Sequence, residues 1–130
     1  MDRLRLPLFL LRIGVFIVML MWTLDKFVRP GHAAGIFKKF YSIDGLSPTM
    51  LYVVGAAELL LLVGFVTGTA KRYTYGLVLL LHTISTLASY QQYLAPFDNL
   101  LFFAAWPMLA ACIALYLLRD LDTLWSMQST

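Results

Sequence analysis

Hydrophobic residues fall into four long runs along the chain, and polar or helix-breaking residues separate these runs. A helix needs about 20 residues to cross the hydrocarbon core of a bilayer, and each run is about that long. The runs cover about 6–28, 50–70, 73–94 and 99–118. The pattern predicts an all-α fold in which residues 1–130 form a single transmembrane domain, an integral membrane four-helix bundle.

The boundaries of the runs carry residues that stop or start helices. Pro30 follows the first run, and proline ends helices because it lacks an amide donor. Ser47 precedes the second run and Asp98 precedes the fourth, and both residue types cap helix N-termini. We therefore expect the second and fourth helices to begin just after these two side chains.

The only substantial connection lies between the first and second runs, at residues 31–43. Its apolar residues share one helical face, whereas Lys38 and Lys39 lie off that face. The apolar set is Ile36, Phe37, Phe40 and Tyr41. This pattern predicts a short interfacial segment, a helix lying at the membrane surface. An ordered loop packed over the bundle is the alternative, since short periodic signals are ambiguous.

Composition strengthens the membrane prediction. Hydrophobic residues make up 61% of the chain and charged residues 13%, against about 45–50% and about 25% in soluble domains. The formal net charge is +3, but the basic residues lie mostly between or beside the apolar runs. No basic stripe stands free of a predicted helix, so we expect the lipid bilayer as a partner and no nucleic acid.

The distribution of basic residues indicates the orientation of the helices. One side would hold Arg3, Arg5, Lys71, Arg72 and Arg119, and the other Lys26, Arg29, Lys38 and Lys39. Arg12, which can snorkel toward the first side, adds to its small excess. The count favours both termini in the cytoplasm. The first run is too long for a cleaved signal peptide, so we expect a retained signal-anchor helix.

Several polar side chains occur within the apolar runs, where an ionised group costs ~2.5–3.5 kcal/mol to insert. In the third run, His82, Ser85 and Ser89 share one helical face. Under the predicted topology the polar residues of all four helices converge on the outer half of the bundle. The candidate polar pocket for a cofactor comprises Trp22, Asp25, Lys26, Glu58, His82, Ser85, Ser89 and Asn99.

Glu58 is the group whose burial most needs an explanation. It can stay neutral or pair with a cation, and Lys26 and a protonated His82 are the candidate partners. These side chains either line a pocket between the second and third helices or only fasten the helices together. We expect ordinary packing in the other half of the bundle.

The sequence supplies few residues for covalent or metal chemistry. Glu58 and His82 are too few ligands for a metal, so no metal site is predicted. Cys112 is the single cysteine and cannot form an internal disulfide, so we expect a small buried apolar side chain there. No residue is assigned a catalytic role.

Six short motifs, in this order and spacing, carry a resemblance to a known family. They are Arg12-Ile13-Gly14, Trp22-Thr23-Leu24-Asp25-Lys26-Phe27, Gly55-Ala56-Ala57-Glu58-Leu59, Gly64-Phe65-Val66-Thr67-Gly68, Asp98-Asn99-Leu100-Leu101 and Leu118-Arg119-Asp120-Leu121-Asp122. With them the chain resembles the DoxX-like family of small four-helix membrane proteins, which is related to MauE-type redox-associated proteins.

The resemblance implies a multi-pass protein of the cell's inner (plasma) membrane that works with a redox or electron-transfer system. Relatives include a subunit of a thiosulfate:quinone oxidoreductase, so quinone is the implied cofactor and a membrane or periplasmic redox protein the implied partner. Arg12, Asp25, Lys26, Glu58 and Asn99 match positions that tend to be polar in the family. The chain lacks the cysteine pair of a thiol-handling partner.

Three functions remain open from the sequence. We expect an accessory subunit of a redox system that is not an enzyme on its own. The first alternative is a binding protein or enzyme for a small lipophilic molecule held in the polar pocket. The second is a purely structural or assembly factor, and in each case the chain can oligomerise.

Overall fold

The computed structural model describes residues 2–127, and the prediction of an all-helical chain is confirmed for that range, where no strand occurs. Six α-helices and three short 3₁₀ turns form there; two of the turns lie between the last two helices and the third follows the last helix. The helices are α1 (Asp2–Val28), α2 (Pro30–Tyr41), α3 (Pro48–Thr67), α4 (Lys71–Ala88), α5 (Tyr90–Tyr93) and α6 (Ala105–Leu117). The 3₁₀ turns are Pro96–Asp98, Leu100–Ala104 and Arg119–Leu121.

The ends of α3 follow from its local sequence. Ser47 caps the N-terminus as predicted, because its hydroxyl accepts a hydrogen bond from the Met50 amide at 3.3 Å. Gly68 ends the helix in the left-handed conformation, at a φ of 70°, which glycine adopts without steric cost. The Thr69 amide then donates to the Gly64 carbonyl at 2.8 Å and closes the last turn.

The fourth run does not begin as predicted. Asp98 lies inside a 3₁₀ turn and does not cap an α-helix. The chain continues as a second 3₁₀ turn, Leu100–Ala104, and becomes α-helical only at Ala105. Pro107 explains the delay, because proline lacks an amide donor and its ring clashes with the carbonyl four residues earlier, which confines it to the first turn of an α-helix.

The third run is also not one continuous helix. α4 ends at Ala88, and the chain bends at Ser89 before the single turn of α5. Hydroxyl groups explain the bend, because serine and threonine side chains that bond to carbonyls one turn earlier often bend helices. Thr86 Oγ1 donates to the His82 carbonyl at 2.7 Å, and Ser89 Oγ donates to the Ser85 carbonyl at 3.2 Å.

Residues 30–41 form the helix predicted for the first connection, so the loop alternative is wrong. α2 packs against both α1 and α3. Its aromatic face points to the other helices: Phe40 lies 6.0 Å from the Phe102 ring, and Phe37 lies 5.8 Å from Lys26 Nζ. α2 therefore covers one end of the structure.

The longer helices pack around a small apolar core. α1 lies mainly against α3, α4 lies mainly against α6, and α3 also contacts α4. The Phe65 and Tyr75 rings meet at 5.0 Å in the core. Other members of the core are Leu8, Val15, Leu62, Val78, Cys112 and Leu115. Cys112 is thus buried among apolar side chains, as expected.

Three helical segments within residues 2–127 are long and apolar enough to span a membrane. They are Arg3–Val28, Pro48–Thr67 and Leu100–Leu117, each with a mean hydropathy of 2.1. α4 is less apolar because it begins with Lys71 and Arg72 and carries His82 and several hydroxyl side chains. Length and composition alone therefore identify three of the four predicted spans.

A substitution at Gly55 can test how α1 packs on α3. A Cβ atom at Gly55 would lie 2.7 Å from the Phe27 ring, which stacks on Tyr52, whereas a Cβ atom at Gly14 meets nothing within 4 Å. We expect Gly55→Val to lower the free energy of unfolding by ~1–3 kcal/mol through overpacking. Gly14→Val is the matched control and should cost less. Equal melting temperatures for the two variants in detergent would contradict this packing.

Candidate functional site

The structure resolves how Glu58 is partnered. Glu58 Oε1 lies 2.8 Å from Lys26 Nζ, and both side chains are mostly buried between α1 and α3. The Phe37 ring of α2 covers the ammonium group at 5.8 Å. Of the two partners that the sequence offered, the structure therefore selects Lys26.

His82 has a different partner. Its Nε2 donates a hydrogen bond to the main-chain oxygen of Ala105 at 2.9 Å, and its own carbonyl accepts from Thr86. The imidazole is buried and joins α4 to the first turn of α6. His82 thus fastens two helices at a position where the sequence suggested a pocket.

The remaining polar residues of the third and fourth runs bond within their own segments. Ser89 bonds to the Ser85 carbonyl, and Asn99 Nδ2 donates to the Ala95 carbonyl at 3.0 Å. Each of these bonds spans four residues of the chain, and the Ser85 side of α4 is exposed. These side chains stabilise local turns and do not join the Lys26–Glu58 pair.

Trp22 and Asp25 belong to a third location, an open groove of about 400 Å³ on α1 and the start of α2. The Asp25 carboxylate accepts from Arg29 Nε at 2.9 Å and from His32 Nδ1 at 2.6 Å. Met21, Leu24 and Val28 complete the apolar walls beside Trp22. The predicted pocket is therefore divided between this groove, the Lys26–Glu58 pair and separate helix contacts.

The most buried polar cluster lies elsewhere and was not predicted. Arg12 Nη1 lies 3.4 Å from Asp122 Oδ1, and both side chains are 0% exposed. Tyr75 donates its hydroxyl to Asp122 Oδ2 at 2.5 Å. Lys71 donates to the carbonyls of Arg119, at 3.1 Å, and of Asp122. Four side chains from α1, α4 and the segment after α6 thus meet in one place.

Arg12 also binds the backbone beyond Asp122. Its Nη2 donates to the carbonyl oxygens of Leu124 and, at 3.3 Å, of Trp125. The amide of Met127 bonds to the Thr67 carbonyl at 2.6 Å. Arg12 and Lys71 carry two positive charges here, and Asp122 carries the one negative charge. Main-chain carbonyl oxygens accept hydrogen bonds from both cations and so stabilise the charge that Asp122 does not balance.

These contacts correct the sequence analysis. The half of the bundle opposite the predicted polar pocket was expected to show ordinary packing, yet it contains the most deeply buried charges. The sequence did carry two signals: Arg12 lies within an apolar run, and Lys71 and Tyr75 are one helical turn apart. Asp122 belongs to the last motif of the family resemblance but gave no signal of burial, because it follows the last run, where a charged residue is ordinary.

The described residues contain no group of three or more His, Cys, Asp or Glu side chains arranged to hold a metal. No protein-family model matches the chain, and neither a curated protein nor a solved structure matches it. The fold and the two ion-pair clusters define an all-helical protein with charges inside and large apolar side chains outside.

The Arg12–Asp122 cluster can be tested by removing one charge. Asp122→Asn leaves Arg12 buried without its counter-charge, and breaking such a pair costs ~3–5 kcal/mol. We expect a large fall in melting temperature in detergent. Asp120→Asn removes an exposed carboxylate from the 3₁₀ turn directly before Asp122 and should change little. Similar falls for both variants would show that Asp122 has no special role.

A double-mutant cycle can compare the two partners considered for Glu58. Lys26→Met and Glu58→Gln should show a coupling of ~0.5–3 kcal/mol in unfolding free energy, the range for residues in contact. His82→Ala and Glu58→Gln should act additively, since His82 bonds to Ala105. Strong coupling between His82 and Glu58 would contradict the structure, because it would indicate that these two side chains interact directly.

Proposed function

We propose that this chain is an integral membrane protein of the inner (plasma) membrane. The observation that carries the proposal is the inverted polarity of the molecule. Arg12 and Asp122 are fully buried, whereas Leu60, Phe97 and Leu101 are among many large apolar side chains that are exposed. Soluble monomers rarely expose apolar patches of this extent. A bilayer would solvate them and penalise exposed charges.

We propose that α4 crosses the bilayer as well, which makes four spans with α1, α3 and the segment 100–117. Its 18 residues extend about 27 Å, close to the ~30 Å of the hydrocarbon core. Its polar side chains at Lys71, Tyr75 and His82 are buried, and Leu80 and Leu87 are exposed. This inward polar face lowers the mean hydropathy of α4 while keeping these three side chains away from lipid.

Impermeant thiol labelling tests this topology in a Cys112→Ala background. Single substitutions Asp44→Cys, Arg72→Cys and Phe97→Cys place thiols at exposed positions before α3, at the start of α4 and after α5. With the termini in the cytoplasm, intact cells should label positions 44 and 97, and position 72 only after permeabilisation. Labelling of 72 and 97 from the same side would show that α4 does not cross.

For the biochemical role, we propose an accessory subunit of a membrane redox system, in the manner of the DoxX-like and MauE-type proteins. The motifs that carry the resemblance supply both buried ion pairs. Arg12 and Asp122 come from the first and last motifs, and Lys26 and Glu58 come from the second and third. These four charged groups are engaged in packing between segments of the chain, which suits a scaffold or anchor better than an independent enzyme.

Copurification from native membranes in a mild detergent tests the accessory role. An oxidoreductase subunit should be recovered in near-stoichiometric amount, and a tagged unrelated membrane protein should not recover it. Recovery of the chain without an oxidoreductase in several detergents would contradict the role, and would favour a structural or assembly factor.

The ligand-binding alternative keeps one specific observation in its favour. The groove at Trp22 and Asp25 is large enough for part of an amphipathic molecule and opens toward the proposed lipid phase. A small lipophilic molecule such as a quinone would bind there, and not between α3 and α4.

A further inference from the structure

At the polar end of the groove, two side chains that can donate hydrogen bonds, Arg29 and His32, are both held by Asp25. Asp25 is largely buried and holds Arg29 through Nε and His32 through Nδ1. The side chains of Arg29 and His32 are 63% and 42% exposed. Within residues 2–127, the terminal guanidinium nitrogens and His32 Nε2 are therefore available to a ligand.

The rest of the groove is apolar and follows α1. Met21, Trp22, Leu24 and Val28 line it, and the stretch 21–28 extends roughly 10 Å along the helix axis. Val28 is the last residue of the first candidate span, and Arg29 follows it directly. In the proposed topology, the cations lie at the level of the lipid headgroups and the apolar wall lies at the level of the acyl chains.

This arrangement requires a ligand with an anionic head and a hydrocarbon tail. A guanidinium group binds phosphate with two parallel hydrogen bonds and is the preferred cation for that purpose. Because Nδ1 already faces Asp25, His32 can donate to the phosphate through Nε2 only in its protonated form, in which Arg29 and His32 together balance the Asp25 carboxylate and one phosphate. A quinone head is neutral and would leave this charge unbalanced, and inorganic phosphate would leave the apolar wall unused.

We propose that the groove formed by α1 and the start of α2 is a binding site for an anionic phospholipid. Arg29 and His32 bind the phosphate, Asp25 positions both side chains, and an acyl chain lies against Met21, Leu24 and Val28. This site rests on the proposed membrane insertion and names the ligand class for the groove.

Native mass spectrometry of the full chain in detergent can measure this binding. Palmitoyl-oleoyl phosphatidylglycerol and the matching zwitterionic phosphatidylcholine are titrated separately. The wild-type chain should prefer phosphatidylglycerol, and Arg29→Gln should weaken its apparent affinity about tenfold while changing phosphatidylcholine binding much less. Lys38→Gln removes the same charge from an exposed position of α2 outside the groove and should stay within about twofold of wild type.

Three results would overturn the site. If the Arg29 and Lys38 variants lose equal amounts of affinity for phosphatidylglycerol, the preference reflects only the general attraction between a basic protein and an acidic lipid. Displacement of phosphatidylglycerol by millimolar inorganic phosphate would indicate an anion site that does not use the lipid tail. Equally effective displacement by decylubiquinone would indicate a site for a neutral lipophilic molecule.

A second pair of variants tests the apolar wall. Val28→Trp would fill the groove and should weaken binding of both lipids, whereas Leu60→Trp changes an equally exposed position on α3 and should not. Unchanged binding in both would overturn the acyl-chain placement. Failure of the membrane proposal is distinguishable, because the chain would then be released from membranes by alkaline carbonate, whatever its lipid preference.

Discussion

The burial of Arg12 against Asp122 is the interaction on which the rest of the structure depends. The two residues lie near opposite ends of the chain, and both side chains are completely buried. A buried charge is tolerated only when it is paired and hydrogen-bonded. Arg12 therefore requires Asp122, and Asp122 can reach it only if the segment after α6 folds back against α1 and α4.

The pairing of Arg12 with Asp122 also fixes the positions of the neighbouring elements. Tyr75 and Lys71 place the first turn of α4 beside the carboxyl-terminal segment. The Met127 amide then reaches the end of α3 at Thr67. At the other end, Lys26 and Glu58 join α1 to α3 under the cover of α2. The two ion pairs thus hold α1 at two levels, and apolar side chains are left to face outward.

The sequence predicted those features that depend on neighbouring residues. The hydrophobic runs, the end of α1 before Pro30 and the Ser47 cap follow from local patterns, and the structure contains them. The Lys26–Glu58 pair was one of two combinations that the sequence allowed. The delayed start of α6 and the bend at Ser89 were missed, because turn residues and hydroxyl groups there override a continuous apolar pattern.

The Asp122 cluster could not be derived in the same way. Asp122 lies outside every apolar run, and nothing local distinguishes it from the exposed Asp120. Its partners come from distant parts of the chain, and they meet only because α1 packs against α6 and the 3₁₀ turn Arg119–Leu121 packs against both α1 and α4. Trp22 and Asp25 were predicted to line a pocket, but the contribution of His32 to their groove was missed, since His32 belongs to a segment that was interpreted mainly by its apolar face.

Hydrogen–deuterium exchange on the purified chain tests the central claim most directly. If Arg12 holds the carboxyl-terminal segment in place, amides in residues 119–127 exchange slowly in the wild-type chain. They should exchange rapidly in Arg12→Gln, while the exposed segment 43–45 exchanges at the same rate in both. Unchanged slow exchange in residues 119–127 of Arg12→Gln would contradict the account.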